Sequence, residues 1–110
     1  MTPILRGDVW WVSLDPTQGA EIQKTRPCLV LTSDVLNRFR QTVVVVPFST
    51  SAGAHPPISV AVTCQGKPVV AIIDQIRAVS RQRLKSKIET ASPAILRAVS
   101  KALEEILELD

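Results

Sequence analysis

The stretch Thr42-Val43-Val44-Val45-Val46-Pro47 does most to decide the fold of this chain. β-Branched residues favour strands, and a strand with one exposed face alternates apolar with polar side chains. Four consecutive valines break that alternation, so we predict a strand at residues 42–47 with both of its faces buried.

Outward from this strand, the pattern predicts more short strands and one helix. Apolar, β-branched runs predict strands at residues 7–14, 27–33, 58–63 and 69–73, with 75–79 extended after a bend. Residues 34–40 are predicted as a turn or one helical turn. Polar runs containing Gly and Pro predict two long loops, at residues 15–25 and 48–57.

A single helix is predicted to close the fold. Ser92 is a good N-cap, Pro93 suits the first helical position, and apolar residues recur at helical spacing as far as Leu107. Residues 93–108 are therefore predicted as an amphipathic helix. The chain is expected to be mainly β with a C-terminal helix packed on a small antiparallel barrel or sandwich.

Composition limits the class of protein without identifying it. A length of 110 residues favours one domain over residues 1–110. The net charge of +3 fits an anionic partner such as nucleic acid, and fits a basic solubilising surface equally well. We expect a cytoplasmic protein, because we find neither a signal peptide nor an apolar run long enough to span a membrane. Cys28 and Cys64 are expected to be buried free thiols, with a disulfide between them as the minor alternative.

Several kinds of catalytic site are missing from the sequence. There is no phosphate-binding glycine motif, and there is no His/Cys cluster, so we expect neither a cofactor nor a metal. His55 is the only histidine. Arg26 is held in extended geometry by Pro27, and either forms a surface ion pair with Glu21 or Asp15 or has a functional role.

Longer motifs are more specific than these single residues. The run from Gly7 to Glu21 is GDVWWVSLDPTQGAE, and residues 24–27 continue it as KTRP. Further segments follow in order: VPFSTS at 46–51, DQIR at 74–77 and RQRL at 81–84. This ordered set resembles the MazF/PemK family of toxin endoribonucleases, and the resemblance covers nearly the whole chain.

The resemblance implies a fold, an activity and partners. The fold is an SH3-like small barrel of the CcdB/MazF/PemK type. The activity is that of a sequence-specific, metal-independent endoribonuclease, an mRNA interferase, which cuts single-stranded RNA and leaves a 2′,3′-cyclic phosphate and a 5′-hydroxyl. The implied partners are single-stranded RNA, a MazE-like antitoxin with an acidic tail, and a second copy of the chain in a homodimer, with no membrane partner.

The resemblance also implies site residues. Arg26 matches the catalytic arginine of the family, and Ser49 matches its catalytic hydroxyl, with Thr50 as the alternative. The remaining supporting or RNA-binding candidates are Glu21, Lys24, Phe48, Thr50 and Gln75. Phe48 is either a ring that stacks on a base or a core residue beneath the loop.

Two questions remain open from the sequence. The basic residues between 77 and 87 either contact phosphates or form a solvated face: Arg77, Arg81, Arg83, Lys85 and Lys87. The alternatives to a nuclease are a CcdB-like gyrase poison and a non-catalytic RNA-binding module.

Overall fold

The computed structural model describes residues 2–14, residue 19 and residues 24–109. It contains seven strands and two α-helices in these ranges: β1 (Asp8–Ser13), β2 (Thr25–Val30), α1 (Asp34–Phe39), β3 (Thr42–Ser49), β4 (Ser59–Cys64), β5 (Lys67–Ile72), β6 (Arg77–Ser80), β7 (Leu84–Thr90) and α2 (Pro93–Ile106). Short 3₁₀ turns at Ile73–Gln75 and Arg81–Arg83 lie before β6 and β7.

β3 is the strand from which the sheet is built. All strand pairings are antiparallel, and the order is β4-β5-β3-β2-β1-β7, with β6 paired to β3 outside this path. One edge of β3 pairs with β2 along Val45–Pro47. The other edge pairs first with β6, along Thr42–Val45, and then with β5, along Phe48–Ser49.

The inner core lies inside a curled five-stranded sheet. Side chains from β7, β1, β2, β3 and β6 meet in one apolar cluster, together with Ile4. These five strands are paired in the order β7-β1-β2-β3-β6, so β7 and β6 are the two edge strands. Side chains from both edges can share one cluster only if the sheet curls. This arrangement is the expected small barrel.

The outer core lies between the opposite face of this sheet, the β4–β5 hairpin and α2. Val9, Leu29 and Val46 reach it from the sheet, and Val99 and Ala102 reach it from the helix. Ser92 caps α2 as predicted, because its hydroxyl accepts a hydrogen bond from Ile95 N (3.3 Å).

The predicted burial of both faces of β3 is confirmed. Val43 and Val45 belong to the inner core, Val46 belongs to the outer core, and all three are fully buried. The tryptophans of β1 divide between its faces, since Trp10 is 6% exposed and Trp11 is 38% exposed.

Several boundaries differ from the prediction. β3 extends to Ser49 because its last two residues pair with β5, so Phe48 belongs to a strand and not to the loop. Residues 84–90 form an unpredicted strand, β7, whose register against β1 shifts twice and obscures the alternation of its side chains. α2 ends at Ile106, two residues before the predicted end.

Asp8 is a buried charge that ties the N-terminal segment to the sheet. Its carboxylate is 3.3 Å from Lys87 Nζ and accepts a hydrogen bond from Leu5 N (3.1 Å). The indole of Trp10 and the hydroxyl of Thr90 also donate to it, each at 3.4 Å. With Asp8 only 1% exposed, water cannot replace these partners.

We predict that Asp8→Ala lowers the free energy of unfolding by about 2–3 kcal/mol, because it leaves buried donors without an acceptor. Urea denaturation followed by tryptophan fluorescence measures the change. Glu104→Ala removes an exposed carboxylate from α2 and should shift the value by less than about 0.5 kcal/mol. Equal effects from the two variants would contradict a structural role for the Asp8 carboxylate.

Candidate functional site

The register between β2 and β3 brings Arg26 and Ser49 to the same level. The paired residues are Cys28 with Pro47, Leu29 with Val46, and Val30 with Val45. Continued by two residues, this register sets Arg26 opposite Ser49. Arg26 is the second residue of β2 and Ser49 is the last residue of β3, so the pair lies at an edge of the sheet where loops begin.

Both side chains belong to the inward face of the curled sheet. Successive side chains of a strand point to opposite faces, and Cys28 and Val45 belong to the inner core. Arg26 is two residues from Cys28, and Ser49 is four residues from Val45, so both share that face. Both are half-buried, in contrast to the fully buried residues further inside. They therefore lie at the rim of the inner core.

The hydroxyl of Ser49 is held in a donor role. Its oxygen accepts hydrogen bonds from the backbone N–H groups of Ser51 and Ala52, both at 3.2 Å. A hydroxyl has two acceptor lone pairs and one proton, so these two bonds leave the proton to be donated. Ser51 Oγ is 3.4 Å away and is exposed, which leaves the hydroxyl pair accessible to an anion.

Two further arginines belong to the same curled sheet, Arg77 at the start of β6 and Arg83 just before β7, and we call Arg26, Arg77 and Arg83 the cationic rim. Val12 pairs with both Arg26 and Leu84, which places the adjacent Arg83 at the same end of the sheet. Arg83 Nη1 donates to the carbonyl of Ser13 at 3.2 Å. All three arginines are half-buried, so their charges border the apolar interior.

The two thiols are buried, uncrosslinked and held in the neutral form. Burial raises the pKa of Cys28 to about 12, an effect that the positive charge of Arg77 partly opposes. Burial, and then the nearby Glu89 carboxylate, raise the pKa of Cys64 above its ordinary value. A thiol is nucleophilic only as thiolate, so neither cysteine suits catalysis.

Phe48 is a core residue, which confirms one of its two predicted roles and rules out the ring that stacks on a base. Its side chain is 2% exposed and packs in the outer core beside Val46 and Ala71, so no base can stack on it. It is two residues after Val46 on the same strand face, and that spacing was the sequence signal for a core residue.

The other expected site residues are placed as follows. Lys24 is exposed and has a left-handed backbone (φ 70°), and its carbonyl accepts from Leu14 N at 2.9 Å. Gln75 ends the 3₁₀ turn before β6 and is half-buried, while Thr50 is exposed just after β3. Glu21 lies outside the described residues.

Within residues 2–14, 19 and 24–109, no three His, Cys, Asp or Glu side chains are grouped closely enough to hold a metal ion. Neither helix of the described chain has the length and hydropathy to cross a bilayer.

Comparisons with known proteins agree with this architecture. A family model described as PemK-like, MazF-like toxin of type II toxin-antitoxin system matches residues 5–107. The chain is 32% identical over 111 residues to Endoribonuclease EndoA of Bacillus subtilis, covering 96% of each chain. It is 35% identical over 107 residues to Endoribonuclease PemK of Escherichia coli, covering 93% of this chain and 80% of that one.

Two solved structures share the fold. MazF from Deinococcus radiodurans superposes with a TM-score of 0.88 at 23% identity, covering 99% of this chain and 100% of that one. An endoribonuclease in complex with its cognate antitoxin, from a mycobacterial species, superposes with a TM-score of 0.80 at 23% identity, covering 97% of each.

We predict that thiol reagents leave this site intact. The folded Cys28 keeps its proton up to about pH 12, whereas an unfolded thiol loses it near 9.0. The stability gained from Cys28 burial is therefore complete below pH 9.0 and is lost as the pH rises toward 12. Mass spectrometry after iodoacetamide treatment at a pH of about 8 should find Cys28 unmodified unless the protein is first unfolded. Rapid labelling of Cys28 in the folded protein would contradict the burial of its thiol.

Proposed function

Because the chain belongs to the family of PemK-like, MazF-like toxins of type II toxin–antitoxin systems, we propose that it is an endoribonuclease that cuts single-stranded RNA, as the toxin of such a pair. The β2–β3 register, which sets Arg26 opposite Ser49 when continued by two residues, is the observation that carries this proposal. The relatives named endoribonucleases support it across nearly the whole chain.

The proposed reaction uses a nucleophile that RNA itself supplies. The 2′-hydroxyl attacks the adjacent phosphorus, the bond to the 5′-oxygen breaks, and the products are a 2′,3′-cyclic phosphate and a 5′-hydroxyl. No activated water is consumed in this step. The protein must therefore move protons and stabilise the extra negative charge on the phosphorane oxygens.

Arg26 and Ser49 suit the second of these tasks. A guanidinium is planar, permanently charged and able to donate two parallel hydrogen bonds to phosphate. The Ser49 hydroxyl, already accepting two backbone N–H groups, adds a further donor. A guanidinium is a strongly basic group that stays protonated in proteins, which makes it a poor general base, so we assign Arg26 to charge stabilisation and not to proton removal.

The proposed partners follow from the same family. One is a cognate antitoxin, in keeping with the fold shared with toxin–antitoxin complexes, and its acidic tail would neutralise the cationic rim. A second copy of the chain forms the proposed homodimer. We place the protein in the cytoplasm, where two free thiols stay reduced.

We expect Arg26→Ala and Ser49→Ala each to lower kcat on a single-stranded RNA by about 100-fold or more, the effect of losing one donor to a developing oxyanion. Ser49→Thr keeps the hydroxyl and should retain most activity. Arg38→Ala and Thr63→Ala remove an exposed guanidinium from α1 and an exposed hydroxyl from β4, and serve as matched controls.

Thr50→Val tests the alternative hydroxyl. A large loss of kcat in Thr50→Val together with an active Ser49→Ala would move the catalytic hydroxyl to Thr50. Cleavage at the wild-type rate by a folded Arg26→Ala protein would refute the assigned site.

Cleavage in excess EDTA should proceed at the same rate as cleavage without EDTA, because the attacking oxygen comes from RNA. The 5′ fragments should carry cyclic phosphates, and sequencing the 5′-hydroxyl ends of fragments from a long RNA would reveal the target motif. Loss of cleavage in EDTA with recovery on adding Mg²⁺ would contradict this mechanism. Intact RNA together with trapped gyrase–DNA complexes would favour a gyrase poison. RNA that is bound but not cut would favour a non-catalytic binding module.

A further inference from the structure

The structure separates the basic residues between 77 and 87 into different roles. Lys87 pairs with Asp8, Lys85 Nζ donates to the carbonyl of Gln82 at 3.1 Å, and Arg83 donates to Ser13. Arg81 begins the 3₁₀ turn before β7, and its backbone N–H donates to the carbonyl of Gln41 next to the start of β3. Among the described residues, the side chains of Arg77 and Arg81 have no hydrogen bond or ion pair. Of the two, Arg77 is the one whose strand leads to the candidate site.

Arg77 lies on the face that carries Arg26 and Ser49. It pairs with Val45 across β3 and β6, and Val79, two residues further, belongs to the inner core. The alternation of side chains therefore points Arg77 to the inward face. Its charge reaches Cys28, since it opposes the effect of burial on the pKa of that thiol. Cys28 is only two residues from Arg26 on the same strand.

A half-buried guanidinium beside an apolar core needs a compensating partner. Desolvation of the charge is unfavourable, and partial burial limits how much water can offset it. Five N–H donors in a planar fork match the oxygens of a phosphate. An RNA strand held at the Arg26–Ser49 pair would bring such phosphates to the same face.

We propose that Arg77 binds a backbone phosphate of the RNA next to the scissile one. Ser49 is four residues beyond Val45, roughly 13 Å along the strand, so Arg77 is set back from the scissile position and serves a neighbouring phosphate. This inference rests on the proposed endoribonuclease activity, because it assigns the path of that enzyme's substrate. Arg77 then contributes to RNA binding equally before and during the reaction.

The test measures RNA binding and cleavage separately. Binding is titrated by fluorescence anisotropy, using a labelled single-stranded RNA whose 2′-hydroxyl is replaced by hydrogen at the cleavage site. Titrations run between about 50 and about 200 mM salt, because each phosphate contact on a single strand contributes about 0.7 to the slope of log K against log salt. Cleavage of the matching all-ribose RNA gives kcat and KM.

We expect Arg77→Ala to weaken binding and raise KM about 10-fold, as for loss of one charge-assisted contact. Its kcat should stay close to that of the wild type, and its salt slope should fall by about 0.7. Arg77→Lys keeps the charge and should retain the slope. Arg97→Ala removes an exposed guanidinium from α2, causes the same change in net charge, and should alter neither KM nor slope.

Three outcomes would overturn the inference. The first is a KM and salt slope in Arg77→Ala equal to those in Arg97→Ala. The second is a lower kcat at constant KM, which would place Arg77 on the transition state itself. The third is a lower free energy of unfolding with an unchanged salt slope, which would show a structural role. If the wild type bound RNA without cutting it, the proposed function would fail, while the salt slopes would still decide whether Arg77 contacts a phosphate.

Discussion

The burial of β3 on both faces is the constraint on which the rest of this structure depends. Val43 and Val45 fill the interior of the curled sheet, and Val46 packs against the layer beneath α2. One strand thus belongs to two cores and pairs with β2, β6 and β5. A slip of one residue would exchange its two faces, so its register is tightly fixed.

That fixed register also positions the candidate site. Arg26 and Ser49 are on different strands and 23 positions apart in the sequence, yet the pairing of Cys28 with Pro47 sets them level. The β-sheet holds their backbones, and the turn after β3 holds the Ser49 hydroxyl through two N–H donors. Groups held in this way need little rearrangement to meet a developing charge, which is the condition for electrostatic catalysis.

Charged groups at the two ends of the curled sheet have different surroundings. At one end Asp8 and Lys87 satisfy each other, with Leu5, Trp10 and Thr90 as further partners of the carboxylate, and this group stabilises the fold. At the other end the cationic rim places three guanidinium groups beside an apolar interior. An anionic strand lying along this face would supply oxygens to these guanidinium groups.

The sequence by itself determined the elements that rest on local patterns. The valine run predicted the doubly buried strand, Ser92 and Pro93 predicted the start of α2, and the ordered motifs indicated the family. The same motifs predict Arg26 and Ser49 as site residues. Only the tertiary structure decided that β7 is a strand, that Phe48 lies in the core, and that Arg77 faces the candidate site while Lys87 serves the fold. The reason is physical. Helical and strand periodicity act between near neighbours, whereas the face and partner of a side chain depend on strand register and sheet curvature, which arise between residues far apart in the chain.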